Sequence, residues 1–516
     1  MDLNLLRDIY EDLKINIFNT FHSGKLEETL KLAIISSTFA WSYHFDVWYD
    51  DEIEELLKNI GKKILSTIYF KKNNIKLNSN SILFITTYFT DTGGHTETLK
   101  IWIQHLSEEF QKIYIVSTEI FNKTTEFESV NFLKKFATLW ILSEEKSYFN
   151  KIHKLIEIIC KVSPKYIVLF IDPNDAVTLS TLSALKEFLE FKIIFFNHAD
   201  HVFWLGKNIT DILVEFRSYS LNISKKFRNF SKKQIVIPLT TNINQRKIKN
   251  KKLFYLKEQA KSISISIGSP YKFVSDGFWD YFKVIEKILI KHPDHIHILI
   301  TKPTYYIKKV LKSFSPEIRS RVKLIPGTSD PLPYYKIADF LIESFPVIGG
   351  TVRVEAIALG LPIIFIKNNF SGLFSITDAI PENYPYIAES NEDVLEYANL
   401  FITNKQLRFD LSKFLTKYFE ENLSLKYISN YIKSLFKDGE NTFSVKVKKF
   451  SIKESIDYLV KFDFLNKNYS PYLFLLRTAL LTKCKNFYIY WKIFTNLSIK
   501  DLNIVKKLRY IIKNNA

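Results

Sequence analysis

Cysteine is almost missing: Cys160 and Cys484 are the only two in 516 residues, and each lies in an apolar or basic stretch without a second ligand beside it. That excludes a disulfide framework and a cysteine-based zinc site, and it fits a reducing, cytoplasmic setting. No apolar run approaches the roughly 20 residues that cross a bilayer, so no membrane span is expected. Met1 to Leu13 is acidic and amphipathic, whereas a secretory leader is basic and then apolar, so export is not expected either. Gly24 to Leu30 and the helix after it resemble one hairpin of a repeat array, but no second copy follows at a fixed period, which argues against a solenoid.

What is present is a globular composition, 47% apolar and 15% aromatic, in a chain too long for one ordinary core. Two mid-sized α/β domains with helical additions are the expectation. The net charge is +18, and from Asn441 to Ala516 there are 15 Lys and Arg against 4 Asp and Glu. Such a face either recruits anionic membrane, nucleic acid or an acidic acceptor, or is only a solvated surface in a Lys-rich chain. The tail lacks the compact basic motif of a nucleic-acid binder. Its aromatics, among them Tyr472, Phe474, Tyr488, Tyr490 and Trp491, read as core; exposed beside the lysines, they would suit peripheral contact with the inner face of a membrane.

Periodicity divides the chain further. Residues 1–76 read as a helical cap, with apolar spacing at Leu5, Ile9 and Leu13 and again at Ile53, Leu56, Leu57 and Ile60. Residues 77–240 alternate short apolar runs (Ile82–Thr86, Lys112–Val116, Thr138–Leu142, Tyr166–Ile171, Lys192–Phe196, Gln234–Ile237) with amphipathic segments, the rhythm of a parallel sheet with crossover helices. Residues 241–253 are polar and aperiodic, as a linker is. Residues 254–438 repeat the rhythm at Ser262–Ile267, His295–Ile300, Val322–Ile325, Phe340–Ile342 and Pro362–Ile366, and 439–516 form a basic helical extension. Two doubly wound, Rossmann-like domains in sequence would face each other across a cleft between their strand C-terminal ends.

The first strand of 77–240 ends in Asp91-Thr92-Gly93-Gly94-His95 before a helix. Paired glycines allow a sharp turn and close approach to a ligand, and the helix start offers free N–H groups. His95 there is either a general base with a suitable pKa or merely a helix-start residue. In the second domain Gly349-Gly350-Thr351 opens a helix after a strand, aiming backbone N–H groups and a hydroxyl at a diphosphate; Glu355, one turn on, can accept from ribose hydroxyls. Ser269 and Lys272 follow that domain's first strand, Lys272 placed to neutralise a departing diphosphate. His198, Asp200 and His201 follow another strand. Their spacing lacks a third or fourth metal partner, so contact with substrate is preferred over a metal site, with Trp204 as a stacking surface. No Asp-x-Asp stands at a strand end to hold a divalent cation on a diphosphate, and no metal or cofactor is expected.

These motifs resemble those of the two-domain nucleotide-sugar glycosyltransferases known as GT-B over residues 80–437. Glu343 to Ile364 is most similar to the O-GlcNAc transferase group and its bacterial protein-glucosylating relatives. The resemblance implies inverting transfer from a UDP-sugar to a hydroxyl or amide on a protein or glycan. Acceptor chemistry would fall on His95, diphosphate binding on Lys272, Gly350 and Thr351, and ribose binding on Glu355; apart from the resemblance, Asp91 and Asp200 are the reserve candidates for the base. Three departures stand out: Val352 replaces a second hydroxyl residue, Glu355 a commoner Asp, and the long superhelical repeat is missing. Retaining members carry a second acid in the helix-entry region, and eight residues before Glu355 stands Val347. The competing expectations are a nucleotide-sugar epimerase or hydrolase of the same fold and a non-catalytic nucleotide-sugar-binding subunit.

Overall fold

The structure, a computed structural model, describes residues 3–68, 75–91, 94–121, 128–246, 255–368, 379–436 and 471–496. Two parallel sheets dominate it. The first contains β1 Asn78–Thr86, β2 Lys112–Ser117, β3 Thr138–Ile141, β4 Pro164–Phe170, β5 Lys192–Asn197, β6 Ile212–Glu215 and β7 Lys233–Val236, in the order β3-β2-β1-β4-β5-β6-β7. The second contains β8 Ser262–Ile267, β9 His295–Ile300, β10 Val322–Ile325, β11 Phe340–Ile342, β12 Ile363–Ile366 and β13 Ile387–Ala388, in the order β10-β9-β8-β11-β12-β13. Every strand pairing is parallel.

Both faces of these sheets are covered, which is why the strands read as unbroken apolar runs. Along β1, Ile82 and Phe84 enter one core while Leu83 and Ile85 enter the other. The side of Leu83 is covered by the N-terminal helices Leu3–His22, Leu26–Ser42 and Asp51–Leu65, so the cap shares the first domain's core. Gly61 makes the closest approach. A Cβ there would fall 1.9 Å from the Ser180 carbonyl oxygen, so only glycine lets its helix cross the helix Ala176–Leu185 backbone to backbone.

The C-terminal part returns to the first domain twice. Helix Leu425–Ser434 sends Ile428 and Ile432 into the Ile82 core, and the Tyr166 hydroxyl donates to the Phe436 carbonyl at 2.9 Å. Helices Pro471–Leu481 and Phe487–Asn496 then form a hairpin against the first two of the three N-terminal helices, where Lys492 pairs with Asp12. Of the sequence-expected linker, residues 241–246 are described and contain a short turn of 3-10 helix, Ile243–Gln245. Residues 247–253, and most of the basic extension, lie outside the described residues.

Candidate functional site

In each sheet the first strand lies third in the order, with the next two strands on one side of it and the later ones on the other. The C-terminal ends of β1 and β4, and of β8 and β11, therefore bound crevices of the kind that hold ligands in open α/β sheets. The two crevices face each other, and a cavity of about 220 Å³ lies between them, walled by Gly94, His95, His198, His201 and Arg217 on one side and by Tyr271, Lys272, Ile348, Gly350 and Thr351 on the other.

Helix Gly94–Leu106 and helix Gly350–Ala358 both begin at this cavity, and their first residues touch. A Cβ on Gly94 would lie 2.0 Å from Thr351 Oγ1, so the approach needs a glycine. A helix start carries N–H groups without intrahelical partners and the positive end of a dipole, and two such ends side by side repel unless an anion is bound beside them. Lys272 adds a full charge at the same place: its Nζ donates to the Ile348 carbonyl at 3.0 Å, beside Gly349. Burial pulls the Lys272 pKa down to about 8, opposed by the Glu343 carboxylate. Glu343 itself is locked by Arg353, at 2.6 and 2.7 Å, and by the Ile366 N–H at 2.9 Å, which fixes the end of β11 where the Gly-Gly-Thr loop departs.

Glu355 sits one turn into the Gly350 helix and does not wall the cavity itself. It accepts from the Tyr335 hydroxyl at 2.9 Å, and burial pushes its pKa up to about 7. Near it Arg246 pairs with Glu97 at 2.7 Å, joining the linker to the Gly94 helix. Ser269 is exposed, and its carbonyl accepts from the Lys272 N–H; its side chain is not part of the cavity wall.

On the opposite wall the His95 and His198 rings lie 4.3 Å apart between centroids. His95 Nε2 has no hydrogen-bond partner among the described residues. Burial and the neighbouring His198 hold the His95 pKa well below its usual value, against a hydrogen bond to the Phe170 backbone. Its imidazole is neutral at pH 7, the form that accepts a proton. His198 Nε2 lies 3.8 Å from Asp172, and burial lowers its pKa to about 4. His201 Nδ1 lies 3.1 Å from Asp200 Oδ1.

Three sequence expectations are corrected here. Trp204 is 1% exposed, packed edge-on to Phe195 and under the Arg228 guanidinium, so it is a core residue and no stacking surface. Asp200 is fully buried in an ion pair with Arg217 and accepts from Ser220; although burial works the other way, Arg217 and His201 hold its carboxyl well below the usual carboxylate range. It braces the wall and is in no position to take an acceptor's proton. Asp91 accepts from the N–H groups of Glu128 and Ser129, at 3.2 and 2.9 Å, and so ties down the next helix start instead of facing the cavity. Gly93 falls outside the described residues. No three His, Cys, Asp or Glu converge among the described residues as metal ligands.

Sequence reasoning missed Arg217, Tyr271 and Asp172. Arg217 follows β6, a four-residue strand that periodicity did not resolve; placing that strand would have put Arg217 at a strand's C-terminal end. The supporting role of the cap was also missed. Glu54 accepts from the N–H groups of Gly206, Lys207 and Asn208 at 2.7, 3.0 and 2.9 Å, and the His44 ring stacks on His201, so the cap holds the loop that carries the cavity wall.

No protein-family model and no curated protein matches the sequence. Solved structures do match in shape. A glycosyltransferase from Rickettsia africae ESF-5 is similar at a TM-score of 0.54 and 16% identity, over 69% of this chain and 98% of that one. Anabaena Alr3699/HepE, solved in complex with UDP and glucose, is similar at 0.51 and 12%, over 69% and 98%. An O-GlcNAc transferase mutant from Thermobaculum terrenum follows at 0.49 and 11%, over 82% and 79%. With two parallel sheets whose crevices face each other, and with the first two of these likenesses covering nearly the whole of each neighbour, the chain has the GT-B fold.

Proposed function

We propose that this chain is a glycosyltransferase that takes its sugar from a nucleotide-sugar donor, a UDP-sugar, and transfers it with inversion and without a metal to a hydroxyl or amide of a protein or glycan. The observation that carries this reading is the convergence of two helix N-termini and Lys272 on one interdomain cavity. Helix-start N–H groups and an ammonium together support a dianionic diphosphate held without a metal ion. HepE, of the same fold, was solved with UDP and glucose, which supports a uridine donor.

In this reading the acceptor oxygen or nitrogen attacks the anomeric carbon as the bond to the diphosphate breaks. His95 takes the acceptor's proton on Nε2, and the charge that develops on the diphosphate meets Lys272 and the Gly350 and Thr351 N–H groups. Glu355 holds the ribose. No second carboxylate stands at Val347 to serve a retaining mechanism, which supports a single displacement.

Thermal unfolding of the purified chain with a panel of nucleotides and nucleotide sugars, beside Lys272→Ala, tests the reading. A ligand at about a hundred times its Kd adds on the order of 2.7 kcal/mol to the folded state. Selective stabilisation by one nucleotide sugar, weakened in the variant, is expected. No response to any nucleotide sugar would defeat the reading. Consumption of the donor without an acceptor would replace transfer by hydrolysis or epimerisation, and binding without turnover under any acceptor would leave a non-catalytic subunit.

A further inference from the structure

The C-terminal hairpin buries one side and exposes another. Leu473, Leu475, Leu476, Ala479, Ile489 and Ile493 face the N-terminal helices and are buried. At the end where the two helices join, four large apolar side chains are left out: Leu480 is 50% exposed, Leu481 51%, Tyr488 39% and Trp491 55%. Leu480 and Leu481 occupy the last turn of one helix, Tyr488 and Trp491 the first turns of the next, and the two aromatic rings lie 6.2 Å apart.

Within the hairpin itself the charge is one-sided, and the acids that reach it from the N-terminal helices are tied to it, Asp12 by Lys492 and Glu28 by the Lys485 N–H at 2.9 Å. Residues 471–496 contain no Asp or Glu, and Arg477, Lys483 and Lys485 are exposed beside the apolar tip. The sequence continues in the same sense, with five Lys and Arg against Asp501 from 497 to 516. Exposed apolar side chains beside exposed cations, with a Trp and a Tyr among them, match the layered chemistry of a bilayer surface. Leucines enter the acyl boundary, aromatics sit at headgroup level, and cations meet anionic headgroups. Nucleic acid would use the cations and leave two exposed leucines without a role.

We propose that the joined end of the Pro471–Asn496 hairpin docks on the surface of an anionic lipid bilayer, seating Leu480, Leu481 and Trp491 in it. The hairpin rests on the same core as the N-terminal helices, so docking orients the whole first domain against the membrane. This inference does not depend on the donor reading.

The test is co-sedimentation of the full chain with phosphatidylcholine vesicles, with and without added phosphatidylglycerol. Binding is expected only with the anionic lipid and weakens as salt rises. Lys483→Gln with Lys485→Gln should weaken it by roughly fivefold per cation. Leu480→Glu with Leu481→Glu should abolish it while leaving the urea midpoint unchanged, since both positions are exposed. Wild-type protein that stays in solution, that binds neutral vesicles equally well, or whose binding survives the leucine changes overturns the proposal. A concentration-dependent dimer abolished by the leucine changes, without vesicle binding, would assign the patch to a second copy of this chain instead.

Discussion

The affinity for a nucleotide sugar should trace a bell against pH, with its top between the pKa values of two residues on the same side of the cleft. Lys272 has its pKa pulled down to about 8 by burial, so in the empty site it loses its proton, and with it the charge that in the proposed reading meets the diphosphate, as pH rises through that value. Glu355 has its pKa pushed up to about 7 by burial, so it loses the negative charge that in the proposed reading meets the ribose hydroxyls as pH falls through that value. At pH 9 a group of pKa about 8 is about one-tenth protonated, which weakens donor binding by up to about tenfold, or about 1.4 kcal/mol. The acid limb is of similar or smaller size, because a protonated carboxyl still makes a hydrogen bond. The histidines on the facing wall do not blur this window: burial holds the pKa of His95, His198 and His201 below its usual value. Calorimetric titration with an intact UDP-sugar, which unlike UDP has no terminal phosphate titrating in this range, gives Kd directly. Lys272→Ala should flatten the alkaline limb and Glu355→Gln the acid limb. A wild-type profile flat from pH 6 to 9, or an alkaline limb that persists without Lys272, would refute the assignment of these two residues to the donor.

His95→Ala should lose transfer while keeping donor-induced stabilisation; turnover at the wild-type rate would remove His95 as the base. Gly61→Ala should destabilise by about 1–3 kcal/mol or more, since the added methyl meets a backbone oxygen that cannot rotate away; an unchanged urea midpoint would contradict the packing. The buried chain Ser262–His295–Ser264–His297–Tyr281, with each link at 2.7 or 2.8 Å, carries a prediction about acid. Burial lowers the His297 pKa from 6.5 to about 3, so the unfolded chain takes the proton first. Stability from this residue is complete above about pH 6.5 and declines as pH falls towards 3, by about 1.4 kcal/mol per pH unit. Urea unfolding at pH 7 and 5 should show a smaller acid loss in His297→Gln than in wild type, and equal losses would refute it.

Much of the architecture was legible because buried parallel strands leave a simple mark. The expected runs Ser262–Ile267, His295–Ile300, Val322–Ile325 and Phe340–Ile342 match the observed strands end to end. What escaped was short or tertiary. β13 has only two residues, too few for a period to declare itself, and β6 closes on a charged residue, Glu215. Trp204 reads in sequence as a cleft aromatic beside two histidines, but a chain turn at Gly206 carries it inward under Arg228, a long-range consequence that no local pattern contains. Asp200 had the right neighbours for chemistry and the wrong one for basicity, because Arg217 arrives from the next strand. The glycine-led helix starts of the candidate site were visible as motifs, whereas their meeting across the cleft depends on two domains docking.

Because the chain leaves the first domain before β8 and returns to it in helix Leu425–Ser434, the second domain is fastened at two points. A body held at two points swings most readily about the line that joins them. Opening of the cleft should therefore be a one-dimensional motion that separates Gly94 from Thr351 and restores the same pairing on closing. The same threading sets an order for synthesis at the ribosome: the first domain's two cores lack Ile428, Ile432 and the hairpin residues until nearly the whole chain has emerged. The domain that is made first is thus the last to be finished.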